Sequence, residues 1–234
     1  MAINSNCHVI GVIGGKGGVG KSIFAANLAV AFNLEMKVPA LIMDLDSLSC
    51  GDQNIILGVR DPKTISELSN FSSSITQANL AAAVSVLPSG IHFVGAVKTR
   101  GETAKSSAEG LLRQIETLSN FYRFIILDLG NQVGPLQSQA IEVCTVLLAV
   151  TLPEAISITQ SMKLIDDLLA GGVPGDMIQI VVNKFFPGGL TAQQIEQTIR
   201  RRVLALVPQD DVTVSGSLQR STPFVAANPK APIS

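Results

Sequence analysis

Short apolar segments recur along the chain and are separated by polar or amphipathic stretches. The apolar segments are rich in Ile, Val and Leu without alternation, which is typical of strands that are covered on both faces. They predict strands at residues 8–13, 40–43, 91–95, 124–127, 143–150, 178–182 and 203–207. The stretches between them predict helices at residues 22–35, 64–68, 104–119, 135–142, 156–169 and 191–202.

This alternation predicts an α/β fold with a doubly wound, mostly parallel sheet of about seven or eight strands. Residues 52–89 are the least regular part, and we expect a polar loop after the strand at 203–207. No repeat or low-complexity linker divides the sequence, so we expect a single domain over residues 1–234. The last residues, Ala231-Pro232-Ile233-Ser234, are typical of a helix start. We therefore expect a fragment that lacks flanking domains and a C-terminal helix.

The composition favours a large buried core and argues against two kinds of partner. Hydrophobic residues make up 47% of the 234 residues and charged residues only 15%, which suits a sheet buried on both faces and some apolar surface kept for a partner. The formal net charge of −1 gives no bulk attraction to nucleic acid or to an anionic membrane. No apolar run reaches the roughly 18 residues that span a bilayer. The scattered cysteines Cys7, Cys50 and Cys144 form no disulfide framework or zinc site, and they fit a cytoplasmic location.

A glycine-rich segment follows the first predicted strand and opens the first predicted helix. Residues 15–22 fit G-x-x-x-x-G-K-[ST], with Gly15, Gly20, Lys21 and Ser22 at the fixed positions. In such a loop, backbone N–H groups converge on phosphate oxygens, and the helix dipole points its positive end at them. The lysine adds a full charge near the β- and γ-phosphates, and the hydroxyl can bind Mg²⁺. The segment predicts a nucleotide site that contains Gly15, Lys16, Gly17, Gly18, Val19, Gly20, Lys21, Ser22 and Ile23.

Lys16 is a second lysine inside this loop, so two cations lie near one polyphosphate. The run GGKGGVGKS resembles the deviant Walker A box of the MinD/ParA family of dimeric ATPases. The resemblance implies a P-loop NTPase fold, with ATP or ADP and Mg²⁺ as cofactors. In that family the early lysine reaches the nucleotide of the partner subunit. The resemblance therefore implies an ATP-bound homodimer in which Lys16 acts across the interface, as an arginine finger does.

Acidic residues follow two of the predicted strands. Asp44 and Asp46 stand at i and i+2 after the strand at 40–43, and such residues share one side of a strand unless the chain turns. Asp128 follows the strand predicted at 124–127 in the Walker B pattern, in which the aspartate holds Mg²⁺ through water. The resemblance implies that Asp46 orients the attacking water and that Asp44 supports it near the metal. The implied catalytic residues are Lys16, Lys21 and Asp46, and the implied metal residues are Ser22, Asp44, Asp46 and Asp128.

The sequence departs from the family directly after Asp128. The family continues with a small residue, prolines and glycine, whereas this chain has Leu129-Gly130-Asn131-Gln132. This departure makes ATP binding better supported than slow hydrolysis to ADP and phosphate. A scaffold that binds nucleotide without hydrolysing it therefore stays open.

Two further segments follow the last two predicted strands. Asn183-Lys184 comes after residues 178–182, and Pro208-Gln209-Asp210 comes after residues 203–207. In the family the asparagine reads the adenine base, and an I-P-x-D segment lies along the base and ribose. The resemblance therefore adds Asn183, Lys184, Pro208, Gln209 and Asp210 to the nucleotide site.

Several branches of the family share these motifs and differ in cargo. Gly51-Asp52 after the D-x-D segment, and Asn183-Lys184-Phe185 followed by Gly189-Leu190-Thr191, resemble the CpaE/TadZ branch of type IV (Flp/Tad) pilus assembly. This resemblance implies pilus-assembly or polar-localisation partners and recruitment to a cell pole or the inner membrane. A MinD- or FleN-like role in cell division or flagellar placement stays open. A ParA-like role in DNA partitioning also stays open, with Arg200-Arg201-Arg202 as its only support.

Overall fold

The computed structural model describes residues 2–46, 51–96 and 107–234. In this part of the chain the strands are β1 (His8–Ile13), β2 (Ala40–Asp44), β3 (Ser85–Val86), β4 (His92–Val94), β5 (Phe124–Gly130), β6 (Val146–Thr151), β7 (Ile178–Phe185) and β8 (Val203–Pro208). The helices are α1 (Lys21–Met36), α2 (Asp52–Leu57), α3 (Ile65–Ser69), α4 (Leu80–Ala83), α5 (Ala108–Leu118), α6 (Pro135–Glu142), α7 (Ala155–Ala170), α8 (Ala192–Ile199), α9 (Asp211–Gln219) and α10 (Phe224–Ala227). A 3₁₀ turn at Gly175–Met177 precedes β7.

These strands form one sheet in the order β3-β4-β2-β5-β1-β6-β7-β8. Every pairing is parallel except the one between β3 and β4 at one edge. The predicted doubly wound, mostly parallel α/β sheet is therefore confirmed. The sequence pattern misses β3, because two residues are too few to show a periodicity.

Helices cover both faces of the sheet, which explains why the strands are apolar without alternation. On one face, Ile115 of α5 and Ile165 of α7 belong to the same core cluster as Ile125 of β5. On the other face, Ala25 of α1 belongs to a second cluster with Ile126 of β5. Neighbouring residues of one strand thus enter opposite cores, and both must be apolar.

Two predicted boundaries are wrong for local reasons. The strand expected at 143–150 begins only at Val146, because Val143 is the C-cap of α6 and the N–H of Cys144 still donates to the Ile141 carbonyl of that helix. The helix expected at 191–202 ends at Ile199. Arg200 takes the left-handed conformation there, with a φ of 58°, and stops the helix.

The polar loop expected after β8 is also wrong, since the chain forms α9 at that point. The Asp210 side chain caps this helix by accepting a hydrogen bond from the N–H of Thr213 at 2.9 Å. In α10, the N–H of Val225 donates to Asn27 of α1 at 3.1 Å. The segment after β8 therefore packs along α1. The expectation of one domain that lacks flanking domains and a C-terminal helix stays a prediction.

Residues 52–89, the least regular part of the sequence, contain α2, α3, α4 and β3, and α3 confirms the helix predicted at 64–68. These elements are short, so they show little periodicity, and α3 is recognisable mainly by the capping box of Thr64 and Glu67. The helix expected at 104–119 is described from Ala108, with Ser107 as its cap. Residues 104–106 and Cys50 lie outside the described residues. None of the described helices is long and apolar enough to cross a bilayer.

The packing of α5 against the sheet can be tested at Ile115, which is fully buried. Ile115→Ala removes buried methyl groups and leaves a cavity, so we expect a loss of about 2–5 kcal/mol in the free energy of unfolding. Leu34→Ala is the control, because Leu34 near the end of α1 is 44% exposed; its loss should be about 0.5 kcal/mol or less. Urea unfolding followed by circular dichroism measures both. Equal losses would contradict the described packing of α5.

Candidate functional site

The glycine-rich loop joins β1 to α1 at the carboxyl edge of the sheet. It is attached to β5, because the N–H of Gly14 donates to the Gly130 carbonyl at 3.2 Å. Gly18 and Gly20 have φ values of 78° and 91°, in the left-handed region that glycine adopts without strain. Gly20 also leaves no room for a side chain, since a Cβ there would lie 2.3 Å from Asn183 Nδ2. The left-handed backbone therefore favours glycine at both positions, and the nearby Asn183 side chain also excludes a Cβ at Gly20.

Lys21 brings a positive charge into the protein directly after the loop. Its side chain is only 6% exposed, and its Nζ donates to the carbonyl of Lys16 at 3.2 Å. Burial lowers the pKa of Lys21, while the negative charges of Asp128 and Asp46 act in the opposite direction. A buried ammonium that is hydrogen-bonded to the loop can offset negative charge on a bound phosphate group.

Asp44 and Asp128 occupy neighbouring positions at the ends of β2 and β5. Both are almost completely buried. Burial raises the pKa of Asp44 well above its ordinary value, and the charge of Asp128 adds to this increase. Burial also raises the pKa of Asp128, against the hydrogen bonds that it accepts from Ser22 and Gln53. Two buried carboxylates in this arrangement favour a nearby cation.

The chain turns directly after Asp44, and this turn determines the position of Asp46. Asp44 Oδ1 accepts a hydrogen bond from the Asp46 N–H at 3.0 Å, and the Leu45 N–H donates to the Asp128 carbonyl at 2.8 Å. The Asp46 carboxylate then lies against Gly130, where an added Cβ would come within 2.6 Å of Asp46 Cγ. Gly130, in the segment that departs from the family pattern, therefore makes room for Asp46.

Two glutamines outside the recognised motifs hold these acidic segments in place. Gln53 of α2 donates through Nε2 to Asp128 Oδ2 at 2.8 Å and to the Ser22 carbonyl at 2.9 Å. Gln137 of α6 donates through Nε2 to the Leu45 carbonyl at 2.7 Å. Both glutamines are buried. The sequence does not identify these two residues, because an isolated glutamine belongs to no motif. What distinguishes them from other glutamines is that both are buried, each on a short helix.

A cleft of about 510 Å³ opens beside the loop, within the usual size range of small-molecule sites. Part of its wall is apolar and includes Ile55, Val214 and Phe224. The predicted site residues that line it are Gly17, Gly18, Gly20, Lys21, Ser22, Ile23, Asp46, Asn183, Lys184, Pro208 and Asp210. The predicted residues outside its described walls are Gly15, Lys16, Val19, Asp44, Asp128 and Gln209.

The residues expected to contact a base come from the ends of β7 and β8. Asn183 is only 8% exposed, and its Nδ2 donates to the Val19 carbonyl at 2.8 Å, so this side chain supports the loop as well as lining the cleft. Lys184 follows with a φ of 50°. Hydrogen bonds from Thr213 hold the pKa of the Asp210 carboxyl below its ordinary value. The reading of adenine by Asn183 stays a prediction.

The site suits a magnesium ion that is held mainly through water and phosphate. Among the described residues, no group of three or more His, Cys, Asp or Glu side chains is arranged to hold a metal ion. Magnesium in phosphate sites usually keeps several waters and takes only one or two protein ligands. Ser22 lines the cleft, and Gln53 connects its main chain to the Asp128 carboxylate, which fits that mode. The assignment of Ser22, Asp44, Asp46 and Asp128 to a metal stays a prediction.

Comparison with known proteins gives consistent matches over nearly the whole chain. The family model for the CobQ/CobB/MinD/ParA nucleotide binding domain matches residues 10–223. An uncharacterized ATP-binding protein of Methanocaldococcus jannaschii is 26% identical over 218 residues, which are 91% of this chain and 78% of that protein. A ParA family ATPase from Chlorobium tepidum TLS has a TM-score of 0.91 at 26% identity, over 98% of this chain and 96% of that one. MinD of Pyrococcus horikoshii OT3, solved with Mg-ADP, has a TM-score of 0.80 at 23% identity, over 97% of this chain and 90% of that one.

The conformational demand on the loop can be tested by adding one methyl group at two glycines. Gly20→Ala strains a φ of 91° and drives a Cβ into Asn183, so we expect a loss of about 1–3 kcal/mol in the free energy of unfolding. Gly17→Ala is the matched control, because nothing lies within 4 Å of a Cβ added there. Chemical unfolding of the nucleotide-free protein measures both. A Gly17→Ala loss as large as that of Gly20→Ala would contradict the described loop.

Proposed function

The chain belongs to the CobQ/CobB/MinD/ParA family of nucleotide-binding domains, and on that premise we propose that it is an ATPase that dimerises when it binds ATP with Mg²⁺. The observation that carries the proposal is Lys21, which is buried near Asp46 and Asp128 and lines the cleft together with loop glycines. Loop glycines and the first residues of α1 line the same cleft as this charge. A glycine-rich loop and a helix start beside a lysine support the binding of a polyphosphate.

The apolar part of the cleft supports a nucleoside rather than phosphate alone. Ile55, Val214 and Phe224 provide an apolar wall against which a purine ring can be desolvated. Asn183 and Pro208 line the same cleft from the ends of β7 and β8. We assign the adenine to this region, with ATP and ADP as the ligands.

In the proposed hydrolysis of ATP to ADP and phosphate, Asp46 orients the attacking water. Its carboxylate lies against Gly130 and lines the cleft, so a water between it and the terminal phosphate is within reach of a base. Bound Mg²⁺ supplies charge neutralisation on the β- and γ-phosphates. Lys21 offsets the charge that develops on the phosphate oxygens, and Lys16 does so from the partner subunit. If turnover is absent, the same site serves a scaffold that is held together by nucleotide.

Exposed aliphatic side chains support the proposed homodimer. Val133 precedes α6, while Ile156 and Val212 are the second residues of α7 and α9, which begin after β6 and β8. Ile55 of α2 lines the cleft. These four side chains are between 43% and 85% exposed, and they belong to the carboxyl edge of the sheet, where the loop lies. Apolar surface around a nucleotide site suits a symmetric, face-to-face contact between two copies.

The cellular role that we propose is the CpaE/TadZ-like one in type IV (Flp/Tad) pilus assembly. The Gly51-Asp52 and Asn183-Lys184-Phe185 segments are its support. The partners are then pilus-assembly or polar-localisation proteins, which recruit a cytoplasmic ATPase to a cell pole or the inner membrane. MinD- or FleN-like placement of the division site or of flagella is the alternative, since it uses the same site chemistry. DNA partitioning has weaker support, because Arg201 donates to the Gly175 carbonyl at 2.7 Å.

Two substitutions separate ATP binding from hydrolysis. Lys21→Ala removes the buried charge that faces the phosphates, so we expect ATP affinity to fall about 10- to 100-fold by isothermal titration calorimetry. Asp46→Ala should keep the affinity within a few-fold and lower phosphate release about 100-fold or more. A wild-type protein that binds ATP and releases no phosphate would support the scaffold. Failure of the wild-type protein to bind ATP would refute the proposed function.

The dimer face can be tested with a single charge. Ile156→Glu places a negative charge on the exposed apolar surface of each copy, so we expect it to abolish dimerisation with a slowly hydrolysed ATP analogue while nucleotide affinity is retained. Met36→Glu is the control, because Met36 is 50% exposed at the end of α1, at the opposite edge of the sheet. Analytical ultracentrifugation measures both. A wild-type protein that stays monomeric with the analogue at high concentration would rule out the dimer.

A further inference from the structure

Gln53 lies near the start of α2 and links two elements of the candidate site. It is completely buried. Its Nε2 donates to Asp128 Oδ2 at 2.8 Å and to the main-chain carbonyl of Ser22 at 2.9 Å. An amide nitrogen carries two hydrogens, so both are used in this bridge. If the amide were rotated so that Oε1 faced these partners, three hydrogen-bond acceptors would face one another. The atom that faces Asp128 and Ser22 is therefore Nε2.

The oxygen of the Gln53 amide shows that packing alone does not account for a glutamine at this position. Gln53 Oε1 is buried and has no hydrogen-bond partner among the described residues. A buried acceptor without a donor costs free energy, and an apolar side chain of similar length would avoid that cost. The bridge through Nε2 is therefore the feature that requires an amide at this position.

The bridge constrains Asp128 relative to Ser22. Asp128 Oδ1 accepts a hydrogen bond from the Gly130 N–H at 3.4 Å, while Gln53 joins the other carboxylate oxygen to the main chain of Ser22. With Gln53 in place, Asp128 keeps its orientation relative to the start of α1. Without it, the carboxylate loses a donor while it remains in a buried environment.

We propose that Gln53 is a positioning residue that fixes Asp128 relative to Ser22 and thereby sets the affinity of the nucleotide site for Mg²⁺. This inference rests on the proposed function, because Ser22 and Asp128 are its metal-side residues. Gln53 acts through these two groups and is not itself part of the described cleft wall. The affinity for nucleotide without metal depends on the loop N–H groups and Lys21, and Gln53 leaves it unchanged.

The test is the Mg²⁺ dependence of ADP binding, measured by titration calorimetry over a series of Mg²⁺ concentrations and in EDTA. Gln53→Met keeps the length of the side chain and removes the bridge, so we expect the Mg²⁺ concentration at half-maximal effect to rise about tenfold. The dissociation constant for ADP in EDTA should change less than about twofold. Gln53→Asn keeps the amide but is too short to reach both partners, and it should shift the Mg²⁺ dependence in the same direction.

Gln114→Met is the matched control for the loss of a buried amide. Gln114 of α5 is 8% exposed, and its Nε2 donates to the Phe71 carbonyl at 3.0 Å. This variant should lower the thermal midpoint and leave the Mg²⁺ dependence at the wild-type value. Thermal midpoints of all variants are measured without nucleotide or metal.

The outcomes separate this inference from the proposed function. If the wild-type protein does not bind ADP, the proposed function fails. If the wild-type protein binds ADP with a clear Mg²⁺ dependence and both Gln53 variants leave it unchanged, this inference alone is overturned. An equal weakening of ADP binding in EDTA and in Mg²⁺ would also overturn it, because that result indicates a merely structural role. If Gln53→Met does not fold, Gln53→Asn decides.

Discussion

The buried position of Lys21, hydrogen-bonded to the loop and within electrostatic range of Asp46 and Asp128, is the constraint that organises the site. Burial lowers the pKa of Lys21, and the negative charges of Asp128 and Asp46 act against that effect. The strand order brings them together, because β5 lies between β1, which leads into the loop, and β2, which leads into Asp46. The loop and both acidic segments therefore meet at one edge of the sheet, where the charge of a phosphate and of a cation can be balanced.

The residues after Asp128 depart from the family pattern, yet three of the four have a clear place in this arrangement. Leu129 is buried in the core cluster on one face of the sheet. Gly130 makes room for the Asp46 carboxylate, and its carbonyl accepts from Gly14 of the loop. Asn131 lines the cleft. The departure thus changes the residues around Asp46 without removing the glycine that Asp46 requires.

Some predicted nucleotide-binding residues also support the protein scaffold. Asn183 donates to the Val19 carbonyl of the loop, and Asp210 caps α9 through the N–H of Thr213. Loss of nucleotide binding after substitution at either position would therefore not identify a contact with the base by itself. Lys21 and Asp46 are better probes, because they combine burial, charge and a position at the cleft wall.

Features that depend on residues close together in the chain can be predicted from the sequence. Apolar strands between amphipathic helices predict the doubly wound sheet, and residues 15–22 predict the phosphate loop, because each signal lies within a few residues of the chain. Only the tertiary structure decided that Asp44 pairs with Asp128, that Asp46 lies against Gly130, and that Gln53 joins Asp128 to Ser22. These contacts join residues from separate elements, and strand order, register and burial determine them. No local pattern encodes those properties, so a buried glutamine and the turn after Asp44 become recognisable only once the sheet has brought the strands together.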